Sequence, residues 1–252
     1  MHVSSLVEMI ESAFDDRLLL GATESIAMGA TGADIARLAR AGATALPEGC
    51  TAVIYVGESH PLLPIVVFAS AWAGVPFIPL NYRLDDDRLN RLIAQHPGAL
   101  VLSDSMTAPR LRCSPQSLGD WLNTLNEMQC AVEAATDDNS VAIILYTSGT
   151  TSEPKAALLR HRHLMAYLLG SVEFASAGSD EAVLISVPPY HIAGVANMLS
   201  NLFAGRRLVY MRSFDPAIWL HTVRDEGVTN AMVVPTMLAR IVESLDGKPA
   251  QT

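Results

Sequence analysis

Short β-branched runs alternate with amphipathic stretches along nearly the whole chain, the pattern left by strands and helices taking turns. Thr31-Gly32-Ala33-Asp34 places a capping hydroxyl three residues before a carboxylate. Ile35, Leu38 and Ala39 then share one face, which predicts a helix to about Gly42. Thr51 to Val56 reads as a strand, and Pro61 to Ala73 as a helix with its prolines in the tolerant first turn. Phe77 to Leu80 is a short buried strand, followed by a helix from Leu84 to Gln95 whose acidic start, Asp85-Asp86-Asp87, suits the helix dipole. Leu100 to Ser103 is another strand, and Pro115 to Met128 a helix with Ser114 as its cap.

Ala131 to Ser140 is polar, carries Asp137-Asp138-Asn139, and reads as a linker between a first α/β subdomain, 1–136, and a second, 137–252. The second half continues the alternation. Strand Val141 to Leu145, a hydroxyl-rich loop and Ala156 to Leu159 come first, then a helix from about His161 and strand Ala182 to Val187. A helix after His191, strand Arg207 to Met211, helix Pro216 to Glu226, strand Ala231 to Val234 and helix Thr236 to Leu245 complete it. Such alternation implies an α/β fold of parallel-rich sheets flanked by helices.

Composition narrows the class. Half of the 252 residues are apolar, 17% are charged and mean hydropathy is +0.27, so the chain has ample material for a core. Net charge is 17 − 26 = −9, which argues against nucleic acid and anionic membrane surfaces as partners. Cys50, Cys113 and Cys130 are odd in number and lack metal-like spacing; reduced thiols in a cytoplasmic protein account for them. Ser59 to Tyr82 and Ala182 to Gly205 contain no Asp, Glu, Lys or Arg, a length that invites a membrane span. Pro61, Pro64, Pro76 and Pro79 in the first and Pro188, Pro189 and His191 in the second favour buried strand and helix segments instead.

The chemistry concentrates in Tyr146-Thr147-Ser148-Gly149-Thr150-Thr151-Ser152-Glu153-Pro154-Lys155, straight after an apolar strand. A small-residue loop leaving a strand can turn several N–H groups and hydroxyls toward one anion, and a lysine adds a point charge, so the segment suits a polyphosphate. It is not a Walker A loop, since the Gly-Lys-Ser/Thr ending is missing. Leu100 to Asp104 has only the common look of an apolar strand ending in aspartate. No Gly-x-Ser-x-Gly supports a serine hydrolase.

Tyr146 to Lys155 resembles the phosphate loop of the acyl-adenylate-forming enzymes, the superfamily of acyl-CoA synthetases, peptide-synthetase adenylation domains and luciferases. Ser152 and Ala156 stand where that pattern has glycines. Three further stretches are similar to family elements. Ala71 to Asn81 matches an early helix-end, glycine and strand element; Leu158 to Leu164 matches a Ser-His-x-Asn-Leu element; and Pro188-Pro189-Tyr190-His191-Ile192-Ala193-Gly194 matches the Pro-Leu-Phe-His-x-x-Gly of acyl-CoA and aryl-CoA synthetases. His161-x-His163 lacks a third ligand at useful spacing and reads as a helix start.

The resemblance implies that Thr147, Ser148, Thr150 and Thr151 donate to the β- and γ-phosphates of ATP. Gly149 permits close approach, Lys155 neutralises charge, and Thr147 also touches Mg2+. It implies Tyr190, His191 and Gly194 at the acyl pocket and CoA tunnel; for His191 the plain alternative is a cap on the next helix. The implied partners are a small-molecule carboxylate, fatty in the first instance, with ATP and CoA. The family continues past the point matched by Thr252 with adenine- and ribose-binding elements and a catalytic lysine. These residues are therefore expected to be an incomplete N-terminal domain, inactive alone and prone to self-association. Two other readings stay open: a non-catalytic nucleotide-binding scaffold, and an acyl-AMP ligase that loads a carrier protein.

Overall fold

A computed structural model describes residues 1–22, 29–126, 128–147, 154–247 and 249. Helix α1 (Ser4–Ala13) buries Leu6, Val7 and Ile10; β1 (Leu18–Leu20) and β2 (Ala30–Thr31) follow. The capping motif read from Thr31 does start α2 (Gly32–Thr44): Thr31 Oγ1 accepts from the Asp34 amide at 3.2 Å, and Asp34 Oδ2 accepts from the Thr31 amide at 3.2 Å. Strand β3 (Val53–Val56) leads to α3 (Leu63–Trp72), buried along its whole length, with Pro64 in its first turn. Then come β4 (Phe77–Leu80), α4 (Asp86–Ala94), β5 (Leu100–Ser103), β6 (Gln116–Ser117) and α5 (Leu118–Asn126). The expected Ser114 cap gives way to Ser117, whose hydroxyl accepts from the Asp120 amide at 3.0 Å, because residues 116–117 extend the sheet first.

The second half adds β7 (Val141–Thr147), β8 (Lys155–Arg160), α6 (His161–Ser171), β9 (Ala182–Ile185), α7 (Ile192–Ala204) and β10 (Arg207–Tyr210). Helix α8 (Pro216–Asp225), β11 (Asn230–Ala231) and α9 (Pro235–Ser244) close it. Among the described residues the strands form two sheets, ordered β6-β5-β3-β4-β7-β8 and β11-β9-β10-β1-β2. Pairing is parallel except for β7–β8 and β1–β2. The strand pairing crosses the expected boundary at residue 136. β1 and β2 lie in the sheet of β9 to β11, and β7 and β8 extend the sheet of β3 to β6.

Period-two alternation explains why these strands read as continuously apolar. Val53 and Tyr55 face the large core between the sheets, shared with α1, α2, α3 and α7, while Ile54 and Val56 face a second core with Leu89 and Leu92 of α4. In the other sheet Val183 and Ile185 join the shared core, and Ala182 and Leu184 pack outward with Val209 and Trp219. The two charge-free stretches contain α3 and α7, buried helices of this core, and no helix among the described residues is long and apolar enough to cross a membrane.

Candidate functional site at the strand ends

The hydroxyl-rich loop joins β7 to β8 as an antiparallel hairpin, with Thr147 paired in register with Lys155. Thr147 Oγ1 donates to the Lys155 carbonyl at 3.3 Å, and both residues are exposed. The loop's two flanks are thus held side by side at a strand end. Ser148, Gly149, Thr150 and Thr151, with Ser152, lie outside the described residues.

Next to this base opens a cavity of 750 Å³ at the carboxyl ends of β4, β7 and β9, where open α/β sheets place ligands. Asn81 comes from the turn after β4, Tyr146 and Thr147 from β7, and Val187, Tyr190 and His191 from the segment after β9. Leu84, Leu145, Leu159, Ile192 and Val234 make much of its wall apolar, and Arg88 contributes a cation. Three predicted residues, Thr147, Tyr190 and His191, therefore line one cavity.

Tyr190 is 7% exposed and meets Tyr82 edge-on at 6.0 Å between ring centroids. Burial pushes its phenol pKa up, so it stays neutral. His191 occupies the N-cap of α7, yet its side chain makes no capping hydrogen bond. Its ring packs at 4.6 Å from Tyr190. Burial first, and the nearby Arg83 guanidinium second, hold its imidazole below the ordinary histidine value. At neutral pH it is an uncharged donor–acceptor beside the cavity.

Gly194 lies differently. It lines a narrow apolar pocket with Ser59, Leu63 and Met198, behind the cavity wall. A Cβ there would stand 2.2 Å from the Pro188 carbonyl oxygen, so its glycine identity is explained by close packing of α7 on the preceding turn. His161 and His163 separate as expected of a helix start. His161 is fully buried and stacks on His2 at 3.5 Å, while His163 Nδ1 accepts from the Arg160 amide at 3.3 Å. Asp104 is committed to a turn, accepting from the amides of Glu58, Met106 and Thr107 at 2.9, 3.1 and 2.7 Å. No group of three or more His, Cys, Asp or Glu among the described residues could hold a metal ion. The Thr147 hydroxyl, a hard oxygen donor, fits an Mg2+ ion that takes its other ligands from phosphates and water.

Tyr146, Arg83 and Arg88 were not singled out by sequence. Tyr146 could have been, as the aromatic that opens the loop motif; Arg88 becomes visible only when α4 is laid along the cavity, and Arg83 only when the turn before α4 comes near His191.

The fold and the strand-end cavity beside the base of the hydroxyl-rich loop are those of an α/β protein with a ligand-sized site where open α/β sheets carry one. The chain belongs to the AMP-binding enzyme family, whose model matches residues 26–252, and the resemblance to adenylate-forming enzymes is borne out. It is 30% identical over 198 residues to a feruloyl-CoA synthase of Amycolatopsis sp, covering 75% of this chain and 39% of that protein. It is also 30% identical over 204 residues to the fatty acid–[acyl-carrier-protein] ligase ScoC of Streptomyces coeruleorubidus, covering 74% and 38%. The N-terminal domain of FACL13 from Mycobacterium tuberculosis superimposes with a TM-score of 0.82 at 18% identity, over 99% of this chain and 67% of that one, a likeness of fold. The chain spans about two fifths of the length of these curated relatives.

Proposed function

We propose that these residues supply the phosphate loop and acyl-side cavity of an ATP-dependent, AMP-forming carboxylate–CoA ligase. The observation that carries the proposal is the single cavity joining the loop base at Thr147 to Tyr190 and His191. In the reaction a carboxylate oxygen attacks the α-phosphorus of ATP and expels pyrophosphate. The CoA thiol then attacks the acyl carbon and displaces AMP. Such chemistry asks a protein mainly for positioning and for stabilisation of spreading negative charge. Thr147, Ser148, Thr150 and Thr151 donate to the β- and γ-phosphates, Gly149 lets them approach, and Lys155 neutralises charge. Bound Mg2+ would draw electron density from the phosphate oxygens. The apolar wall from Leu84 to Val234 takes the acyl group, a fatty acid in the first instance, with Tyr190 and neutral His191 orienting its carboxyl end. Gly194 keeps that segment seated by close packing. The three free cysteines suit a reducing, cytoplasmic setting.

Titration calorimetry with non-hydrolysable acyl-adenylate analogues, fatty and aromatic, tests the reading. Binding is expected, strongest for fatty acyl groups, and Mg-ATP, which carries the β- and γ-phosphates, should bind at least about tenfold more weakly to Lys155→Ala than to the wild type. No analogue binding by the wild type, or equal Mg-ATP binding by the variant, overturns it. Residues 1–252 by themselves are proposed to give no carboxylate-dependent exchange of pyrophosphate into ATP, because several transition-state contacts are missing together. Robust exchange abolished by Lys155→Ala would refute that point alone. Transfer to a carrier-protein thiol is the second reading, favoured by the likeness to a fatty acid–[acyl-carrier-protein] ligase. Competition between CoA and holo-carrier protein in a protein containing these residues decides between acceptors.

A further inference from the structure

The strand that carries the phosphate loop has little sheet to hold its far end. β7 is registered with β4 through the pair Phe77 and Ile143. On its other side lies β8, an edge strand that is exposed from Lys155 to Leu158. Among the described residues, the sheet therefore ties Leu145 to Thr147 only to a strand that is itself at the rim. Tyr146 provides a second anchor. Its hydroxyl donates to Gln95 Oε1 at 3.1 Å and lies 2.8 Å from His96 Nε2. The imidazole and phenol rings meet edge-on at 6.1 Å. A phenol has one proton to give; with that proton on Gln95, the His96 bond requires an Nε2–H donor. Burial lowers the His96 pKa, which keeps the ring neutral, and raises that of Tyr146, which keeps the phenol protonated.

Gln95 and His96 close the C-terminal end of α4, a helix fixed to the outer face of the same sheet through Leu89 and Leu92. Tyr146 itself lines the cavity and is the immediate neighbour of Thr147. We propose that Gln95, His96 and Tyr146 form a tether that sets the base of the phosphate loop against the cavity, with His96 and Tyr146 as positioning residues for nucleotide binding. The proposal rests on the nucleotide-binding reading above. Gln95 is exposed and His96 half-buried, so water replaces the bonds when they are cut and overall stability changes little. What changes is where Thr147 stands.

Two readouts on the same proteins test this: hydrogen exchange of peptides across residues 141–160, and Mg-ATP affinity by titration calorimetry. Tyr146→Phe and His96→Ala are each expected to speed exchange at 145–147 and to weaken Mg-ATP about fivefold, the size of one ordinary hydrogen bond. Melting temperature should stay within about 2 °C of wild type. His96→Gln, which keeps an N–H donor, should restore both readouts. The proposal is overturned if exchange and affinity are unchanged in Tyr146→Phe and His96→Ala. It is equally overturned if the whole chain loosens with a matching fall in melting temperature, or if His96→Gln restores nothing. A wild type that binds no Mg-ATP overturns the nucleotide reading instead, and the exchange result then decides by itself whether the tether holds the strand end.

Discussion

Replacing Gly194 by alanine sets two effects of opposite sign against each other. Gly194 is the third residue of α7, and alanine there improves helix propensity by about 1 kcal/mol. Against this, the new Cβ would lie 2.2 Å from the Pro188 carbonyl oxygen, 2.8 Å from its carbon and 2.9 Å from the Val187 oxygen. An ordinary carbon–oxygen contact is about 3.3 Å or more, so the backbone must open by about 1 Å. All three obstacles are main-chain atoms, so no side-chain rotation can relieve them. Overpacking of this kind costs about 1–3 kcal/mol, and the crowding wins. A net loss of up to about 2 kcal/mol lowers the melting temperature by up to about 8 °C in a chain of this size. The displaced carbonyl leads directly into Pro189, Tyr190 and His191, so affinity for an acyl-adenylate analogue should fall as well. Gly170 of α6 is the control: a Cβ there meets nothing within 4 Å, and Gly170→Ala should be neutral or stabilising by up to about 1 kcal/mol. Thermal melts and calorimetry of both variants settle the matter. If Gly194→Ala melts at or above wild type, the packing account of this glycine is wrong.

Acid should destabilise the fold well before its carboxylates protonate. Burial lowers the pKa of His161 to about 3 and that of His60 to about 4, each from 6.5. Such groups give stability that is complete above pH 6.5 and is lost as pH falls through that window, about 2 kcal/mol from His161 alone by pH 5. Urea titrations at pH 7 and pH 5 with the same midpoint would contradict this, and His161→Phe should flatten the dependence. Ser152→Gly, which restores the glycine of the family pattern, should keep or improve Mg-ATP affinity measured by ligand-detected NMR; a marked loss would show that the serine is needed. Self-association is expected through the exposed Ile218, Leu238 and Val242 of α8 and α9. Light scattering across protein concentrations checks it, and Leu238→Lys should reduce any oligomer.

Much of the fold was legible because single residues punctuate it. Thr31 and Asp34 announce α2, and the flanking turns bound β4 and β5 to the residue. What escaped depends on distant partners. β1 is three leucines whose strand identity comes from pairing with β10, almost two hundred positions later, and β6 is two residues that exist as a strand only beside β5. α1 carries a clear apolar face in Leu6, Val7 and Ile10, but no capping side chain marks its start. The cavity lining was legible where it sits in contiguous motifs, as at Thr147, Tyr190 and His191. It was illegible where another part of the chain lends side chains, as α4 lends Arg88 to the cavity and the turn after α4 lends His96 to Tyr146.

The interleaving of the two sheets bears on how the molecule is made. β1 leaves the ribosome early, but its parallel partner β10 begins at Arg207; β4 must likewise wait for β7 at Val141. Neither sheet can close while the first half of the chain is alone, and loops this long must be ordered before their contacts repay the entropy. Folding during synthesis should therefore be late and slow, with Leu18–Leu20 waiting without its parallel partner and Phe77–Leu80 paired on one side only. A separately expressed 1–136 should fail to fold, and chaperone dependence should fall sharply only once residues past Tyr210 have been made.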